Sequence, residues 1–260
     1  MEKQHCRRSR VIRLCASALL GLLTLASCEG PSGTVSPTLP PSKAPPQIFA
    51  KYSPDRNAKL AEGWTRGFDM SGVSFNDTRT ATLITPRHVV MAKHYSRPAA
   101  APVVFHDRSG KRIERKIIGL MGAQGDVMVG LLDEPVPANY TSYPMPEPGS
   151  DLGSLVGRPV IVSDQKRSLF VHLVSGVRGG IIGFKHDEAE RYGWGKNLVV
   201  GDSGNPSFLI VGKQLVLVEA HTTGGPGAGP YYGDPAVQAS IRAAAAKLDP
   251  SYRIRTLKLR

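Results

Sequence analysis

Val200-Gly201-Asp202-Ser203-Gly204-Asn205-Pro206 lies between two apolar runs, 198–200 and 208–211. Turn-forming residues set between apolar runs read as strand, tight turn, strand. A serine on such a turn exposes its Oγ, and main-chain N–H groups beside it can converge on one anion. By itself the stretch is only a good turn sequence, so any chemistry it carries needs a base from elsewhere in the chain.

Working outward, the texture stays the same over most of the chain. Short β-rich runs fall at 68–75, 79–84, 88–92, 102–106, 112–119 and 126–132, and again at 159–163, 169–175, 179–184, 207–211 and 214–221. Eleven strands separated by turn residues, with no long helix between them, predict an all-β sandwich or barrel. No repeat of fixed period is visible. One helix is predicted near the end, where Asp234 can cap, Pro235 suits the first helical position, and Val237, Ile241, Ala245 and Leu248 share a face. Asp249-Pro250 ends it.

Two further segments contain groups that could serve Ser203. Thr82-Leu83-Ile84-Thr85-Pro86-Arg87-His88-Val89-Val90-Met91-Ala92-Lys93-His94 places a histidine directly after a strand–turn–strand unit. Gly125-Asp126-Val127-Met128-Val129-Gly130-Leu131-Leu132 begins an apolar strand with an acid, where a carboxylate can be sheltered and still reach an imidazole.

Together these segments resemble the blocks L-I-S-P-R-H-V-L-T-A-A-H-C, D-I-A-L-L and G-D-S-G-G-P of the chymotrypsin-like serine proteases, in that family's order of His, Asp, Ser. The order differs from those of subtilisin and the α/β-hydrolases, and Asn205 breaks the G-x-S-x-G elbow of the latter. The resemblance covers roughly residues 66–248. It implies two six-stranded antiparallel Greek-key barrels packed face to face, with the C-terminal helix closing the second.

The resemblance also implies a serine endopeptidase acting on polypeptides, with Ser203 as nucleophile, His94 as base and Asp126 orienting the imidazole. The N–H groups of Gly201 and Ser203 would form the oxyanion hole. Two other readings of the same residues are an inactive binding or scaffold protein that keeps the fold, and an esterase using the same triad.

The chain departs from the family in several places. Tyr95 replaces the cysteine after the histidine, and Asn205 replaces the last glycine of the serine block. Spacings of 32 residues from His94 to Asp126 and 77 from Asp126 to Ser203 match the compact bacterial branch, which lacks long specificity loops. The pocket-floor position, six residues before Ser203, is Asn197, so the carboxylate of trypsin-like specificity is missing. Glu219-Ala220-His221-Thr222-Thr223-Gly224-Gly225 resembles the G-I-H-W-G-G stretch of glutamate-specific bacterial endopeptidases. His221 is therefore a pocket candidate, and Thr222 falls where the family places a serine bonded to the triad Asp. Asp202, whose family counterpart pairs with a freshly cut N-terminus, needs another partner here.

The N-terminus reads as a leader. Arg7, Arg8, Arg10 and Arg13 precede an apolar run at 14–25, and Leu25-Ala26-Ser27-Cys28 resembles the bacterial lipobox. The expected organisation is a signal peptide at 1–27, a lipidated Cys28 with a Pro/Ser-rich tether to 48, and a protease domain at 49–260, held in the bacterial cell envelope and monomeric. Cys6 and Cys15 would leave with the leader, so no disulfide is expected. The full chain carries +12; removing residues 1–27 takes five Lys/Arg and one Glu, leaving +8. Such a balance suits anionic lipid or polymer, but no aromatic-interleaved basic motif accompanies it and nucleic-acid binding is not expected. His88, His106, His172 and His186 show no metal-ligand spacing. Neither a metal nor another cofactor is expected.

Overall fold

A computed structural model describes residues 46–150, 152–187 and 194–259. The leader, Cys28 and most of the tether fall outside these residues. Pro46, Gln47 and Ile48, expected as the end of the tether, already belong to the fold: the Leu169 N–H donates to the Pro46 carbonyl, Gln47 bridges to Ser168, and Ile48 is buried.

The architecture is all-β with one C-terminal helix, and its two six-stranded antiparallel sheets match the expectation. The first comprises Val73–Ser74, Ala81–Leu83, His88–Ala92, Pro102–His106, Arg112–Ala123 and Val127–Leu132. The second comprises Pro159–Ser163, Leu169–Arg178, Ile181–Lys185, Pro206–Val211, Gln214–Ala220 and Ala228–Pro230. With strands numbered one to six within each sheet, the first runs 1-2-3-6-5-4 and the second 5-4-1-2-3-6. These are one cyclic Greek-key order, opened at different seams. The duplication lies in the topology, which is why the sequence shows no repeat.

Alternation along the strands sorts side chains into three apolar layers. In His88–Ala92, Val89 and Met91 enter the first sheet's interior with Leu83, Phe105, Ile117 and Leu132, whereas Val90 points the other way. Val160, Val162, Phe170, Leu209 and Val216 fill the second interior. Between the sheets, Val90, Val127 and Val129 join Phe208, Leu217 and Ala220 in a shared layer. Strands buried on both sides read as continuous apolar runs, as 127–132 does.

The helix Pro235–Leu248 begins as expected, with Asp234 Oδ1 accepting from the N–H groups of Ala236 (3.0 Å) and Val237 (3.1 Å). Its seat differs from the expectation. Rather than closing the second sheet, it packs across Arg112–Ala123 and Val127–Leu132 of the first. Its face of Val237, Ile241, Ala244 and Ala245 completes the shared layer, and the Gln124 N–H donates to Ser240 Oγ (2.9 Å). The physical reason is that Val127 and Val129, which face the shared layer and not the first sheet's interior, are covered by the helix residues as well as by the second sheet.

The first sheet's seam is closed by a buried cation. Arg97 is fully buried and donates to the carbonyls of Arg79 (2.5 Å), Pro102 (2.8 Å) and Ser74 (3.1 Å) and to Asn76 Oδ1 (2.6 Å). Ser74 and Pro102 belong to the two end strands, so one guanidinium spans the gap between them. Burial lowers its pKa to about 10, leaving it charged at neutral pH. Arg97→Met takes a donor from four acceptors; the Pro102 carbonyl keeps Asn76 Nδ2 and Asn76 Oδ1 keeps Ser74 and Val104, so the main cost falls on the Arg79 and Ser74 carbonyls, at about 1–3 kcal/mol each if they stay dry. A loss of about 3 kcal/mol or more is expected in urea unfolding, with Arg97→Lys recovering part of it because an ammonium cannot reach every acceptor. A loss below about 1 kcal/mol would show that the seam closes without Arg97.

Candidate active site

His94 sits in a single 3-10 turn, Lys93–Tyr95, directly after the strand His88–Ala92. That strand pairs with Val127–Leu132 in a register that sets Ala92 opposite Val127. Continuing the pairing by one residue brings Asp126 beside the turn. The Lys93 N–H donates to the Asp126 carbonyl (3.1 Å) and the His94 N–H to Asp126 Oδ1 (2.8 Å). The other carboxylate oxygen, Oδ2, makes a short contact with His94 Nδ1. Asp126 thus fixes the histidine through both its main chain and its ring.

Ser203 comes from the other sheet, on the turn that leads into Pro206–Val211. Its Oγ lies 3.0 Å from His94 Nε2. With the Nδ1 proton directed at Asp126, Nε2 keeps a lone pair for the serine hydroxyl. The three residues singled out in the sequence therefore form one continuous hydrogen-bonded series. His94 remains about half exposed on its side chain (48%), so the series faces solvent.

The turn is held from within. Gly201 and Gly204 take φ of +95° and +85°, in the left-handed region that favours glycine. Asp202, Gly204 and Asn205 each spend their N–H, on the carbonyls of Val199, His221 and Asp202. Gly201 and Ser203 are the two in this turn whose N–H bonds no acceptor among the described residues. Asn205 points inward: its Oδ1 accepts from Thr80 (3.0 Å), its Nδ2 donates to the Asp202 carbonyl (3.0 Å), and it thereby ties the turn to the first sheet. Tyr95, in place of the family cysteine, lays its ring beside His94 and bonds Thr78 Oγ1 (2.8 Å).

Asp202, almost fully buried, finds its partner in Lys196. Lys196 Nζ is 3.4 Å from Asp202 Oδ2 and 2.5 Å from Oδ2 of the equally buried Asp164. The N–H groups of Val199 (2.9 Å) and Gln165 (3.1 Å) complete the Asp202 carboxylate. Gln165 Nε2 reaches the Val200 carbonyl (3.1 Å). A tight turn, 164–168, thus grips the segment leading to Ser203, and the N-terminal residues secure that turn through the Ile48 N–H on the Arg167 carbonyl (2.9 Å). Lys196, Asp164 and Gln165 were not legible in the sequence, because a lysine six residues before an acid carries no signature and Asp164 lies 32 residues away from it.

The pocket candidates are not brought together. Asn197 is exposed. Thr222 Oγ1 donates to the Ala228 carbonyl (3.2 Å), not to Asp126. His221 is buried, with Nδ1 2.8 Å from Oε1 of the fully buried Glu219 and its ring against Phe184. Leu198 and Gly225 exchange both main-chain hydrogen bonds (2.7 and 3.1 Å), joining the two segments that flank this region without a disulfide. A Cβ on Gly227 would come within 2.8 Å of Leu198 Cδ1 and 3.4 Å of His221 Nδ1, so both side chains border Gly227. Nearby, His172 gives Nδ1–H to the Pro226 carbonyl (2.7 Å) and accepts the Lys196 N–H at Nε2 (3.2 Å), and burial pushes its pKa down to about 4. Of the apolar run 198–200, only Leu198 is buried; Val200 is almost wholly exposed beside the serine turn.

No family model matches the chain, and no curated protein matches it.

Lys196 neutralises two carboxylates that water cannot reach. Removing it as Lys196→Met leaves both uncompensated, and a loss of about 3–5 kcal/mol is expected in urea unfolding, restored in large part by Lys196→Arg. Equal stability of Lys196→Met and wild type would mean that the Asp202 carboxylate is satisfied by its N–H donors alone.

Proposed function

We propose that the chain is a serine endopeptidase that cleaves polypeptides through an acyl-enzyme on Ser203. The observation that carries this reading is the hydrogen-bonded series from Asp126 through His94 to Ser203, assembled from two sheets and open to solvent. In the reaction, His94 Nε2 takes the hydroxyl proton as Ser203 Oγ attacks the carbonyl carbon, and the Asp126 carboxylate stabilises the imidazolium. The N–H groups of Gly201 and Ser203, which bond no other acceptor among the described residues, meet the oxyanion of the tetrahedral intermediate. His94 then returns the proton to the leaving amine, and water repeats the sequence to release the acid. A positioned base contributes about 10²–10⁴-fold and each oxyanion donor about 10²–10³-fold, so both parts are required.

The substrate side chain next to the scissile bond is proposed to be small and uncharged. His221 is buried with Glu219 as its neighbour, so it is not a free cation for a substrate carboxylate. The glutamate preference suggested by the 219–225 stretch therefore has less support than a shallow neutral pocket. Placement in the bacterial cell envelope through Cys28 remains part of the proposal and rests on the leader sequence. Among the described residues, no helix is long and apolar enough to cross a membrane.

The test uses the full chain against a peptide library, with matched ester and amide substrates. Wild type is expected to cleave peptides, most readily after small uncharged residues, and Ser203→Ala and His94→Ala to lose about 10³-fold or more in kcat. Ester turnover without peptide cleavage would replace the endopeptidase with an esterase. A folded wild type with neither activity would favour a binding protein.

A further inference from the structure

A second cleft opens on a different part of the molecule. Ser203 precedes one end of the strand Pro206–Val211, and the cleft lies around the turn Gly212-Lys213 at the other end. At about 3.3 Å per residue this is roughly 17 Å along the strand. The cavity is about 580 Å³, within the range of ligand-binding clefts. Phe68, Tyr143 and Leu215 give it an apolar lining.

Three cations meet around it from separate stretches of chain: Arg108, Lys213 and Arg255, all exposed. Among the described residues none of them is in an ion pair. The one carboxylate in the lining, Asp69, is spent on the Ser71 N–H (3.0 Å) and the Thr141 hydroxyl (2.8 Å). The site therefore presents unanswered positive charge above an apolar floor.

It also presents an open strand edge. Val211 and Gln214 flank the two-residue turn and form the hydrogen-bonded pair that closes it. Hydrogen-bonded and non-bonded pairs alternate in an antiparallel ladder. Leu215 and Leu217 consequently turn their N–H and C=O away from the neighbouring strand. The Leu217 N–H is met by the Pro144 carbonyl (2.9 Å), whereas among the described residues no segment outside the sheet meets the main chain of Leu215, a residue otherwise buried.

We propose that this cleft binds an acidic polypeptide segment in extended conformation, which adds main-chain hydrogen bonds at Leu215 and places carboxylates on Arg108, Lys213 and Arg255. Strand addition supplies affinity through the main chain, and the cations select acidic side chains. The site is separate from Ser203 and does not depend on the endopeptidase reading. If both hold, it recruits substrates with an acidic stretch at a distance from the bond cleaved.

The test measures fluorescence anisotropy of a labelled, end-capped octapeptide of alternating glutamate and valine, using the full chain carrying Ser203→Ala so that no cleavage intervenes. Saturable binding is expected, weakened about tenfold or more by Lys213→Glu and by Arg255→Glu and by raising the salt to about 0.5 M. The same peptide N-methylated at alternate residues is expected to lose binding. In the otherwise wild-type chain, fluorophosphonate labelling should be the same with and without the charge reversals, which separates the cleft from the triad. Absence of binding, equal binding by the reversed variants, or equal binding of the N-methylated peptide would overturn the proposal. Displacement by inorganic polyphosphate together with indifference to N-methylation would reduce the cleft to a nonspecific basic surface.

Discussion

His94 and Ser203 stand on different sheets, so their 3.0 Å contact exists only as long as the apolar layer between the sheets fixes their relative position. Val90 and Val129 on one side, Phe208 and Ala220 on the other, and Ile241 from the helix make up that layer. Three of them stand close in sequence to the candidate site residues: Val90 precedes His94 by four residues, Val129 follows Asp126 by three, and Phe208 follows Ser203 by five. Interiors packed to this density shift little. The helix is best understood as part of this constraint, since it covers the same valines that position Asp126.

Two cations, the buried Arg97 and the half-buried Lys196, hold the polar parts of the framework in different ways. Arg97 neutralises no carboxylate; its guanidinium is used for geometry, joining carbonyls across the seam of the sheet that carries His94. Lys196 neutralises charge, setting one ammonium between Asp164 and Asp202 beneath the Ser203 turn. The turn is thus fixed from inside the fold, with no new chain terminus needed to complete it. A further tie runs to the N-terminal region, where Trp64 stacks on Trp194 at 4.7 Å, two residues before Lys196.

Much of the fold was legible because period-two patterning and turn chemistry act locally. Eleven of the twelve strands of the two six-stranded sheets and the capped helix follow from them, whereas the short pairs Phe49–Lys51 with Lys59–Leu60 and Met145–Pro146 with Thr256–Leu257 do not. The twelfth strand, Ala228–Pro230, was missed because three residues rich in glycine and proline carry no alternation; Gly229 is there so that the strand can approach Ala220, whose carbonyl oxygen would lie 2.5 Å from a Cβ. The helix's seat was misjudged because an apolar face does not say which sheet it covers. At the site, His94, Asp126 and Ser203 could be named because the blocks around them resemble, in order, those of the chymotrypsin-like proteases; the strand–turn junction at each one carries no chemistry by itself. Lys196 and Asp164 depend on tertiary approach and leave no local trace, whereas Glu219 and His221 stand two apart at the end of one strand, the spacing that puts side chains on one face. Thr222 shows the opposite failure: its position along the chain suggested Asp126, but the loop turns its hydroxyl to Ala228.

The central claim is that the geometry makes Ser203 an activated nucleophile. It is tested most directly by treating the full chain with a fluorophosphonate and reading the adduct by intact mass and peptide mapping. The account predicts one adduct on Ser203 in wild type, none in Ser203→Ala, and labelling slowed by about 10²-fold or more in His94→Ala. A folded wild type that stays unmodified, or a Ser203 that labels equally fast without His94, would contradict it.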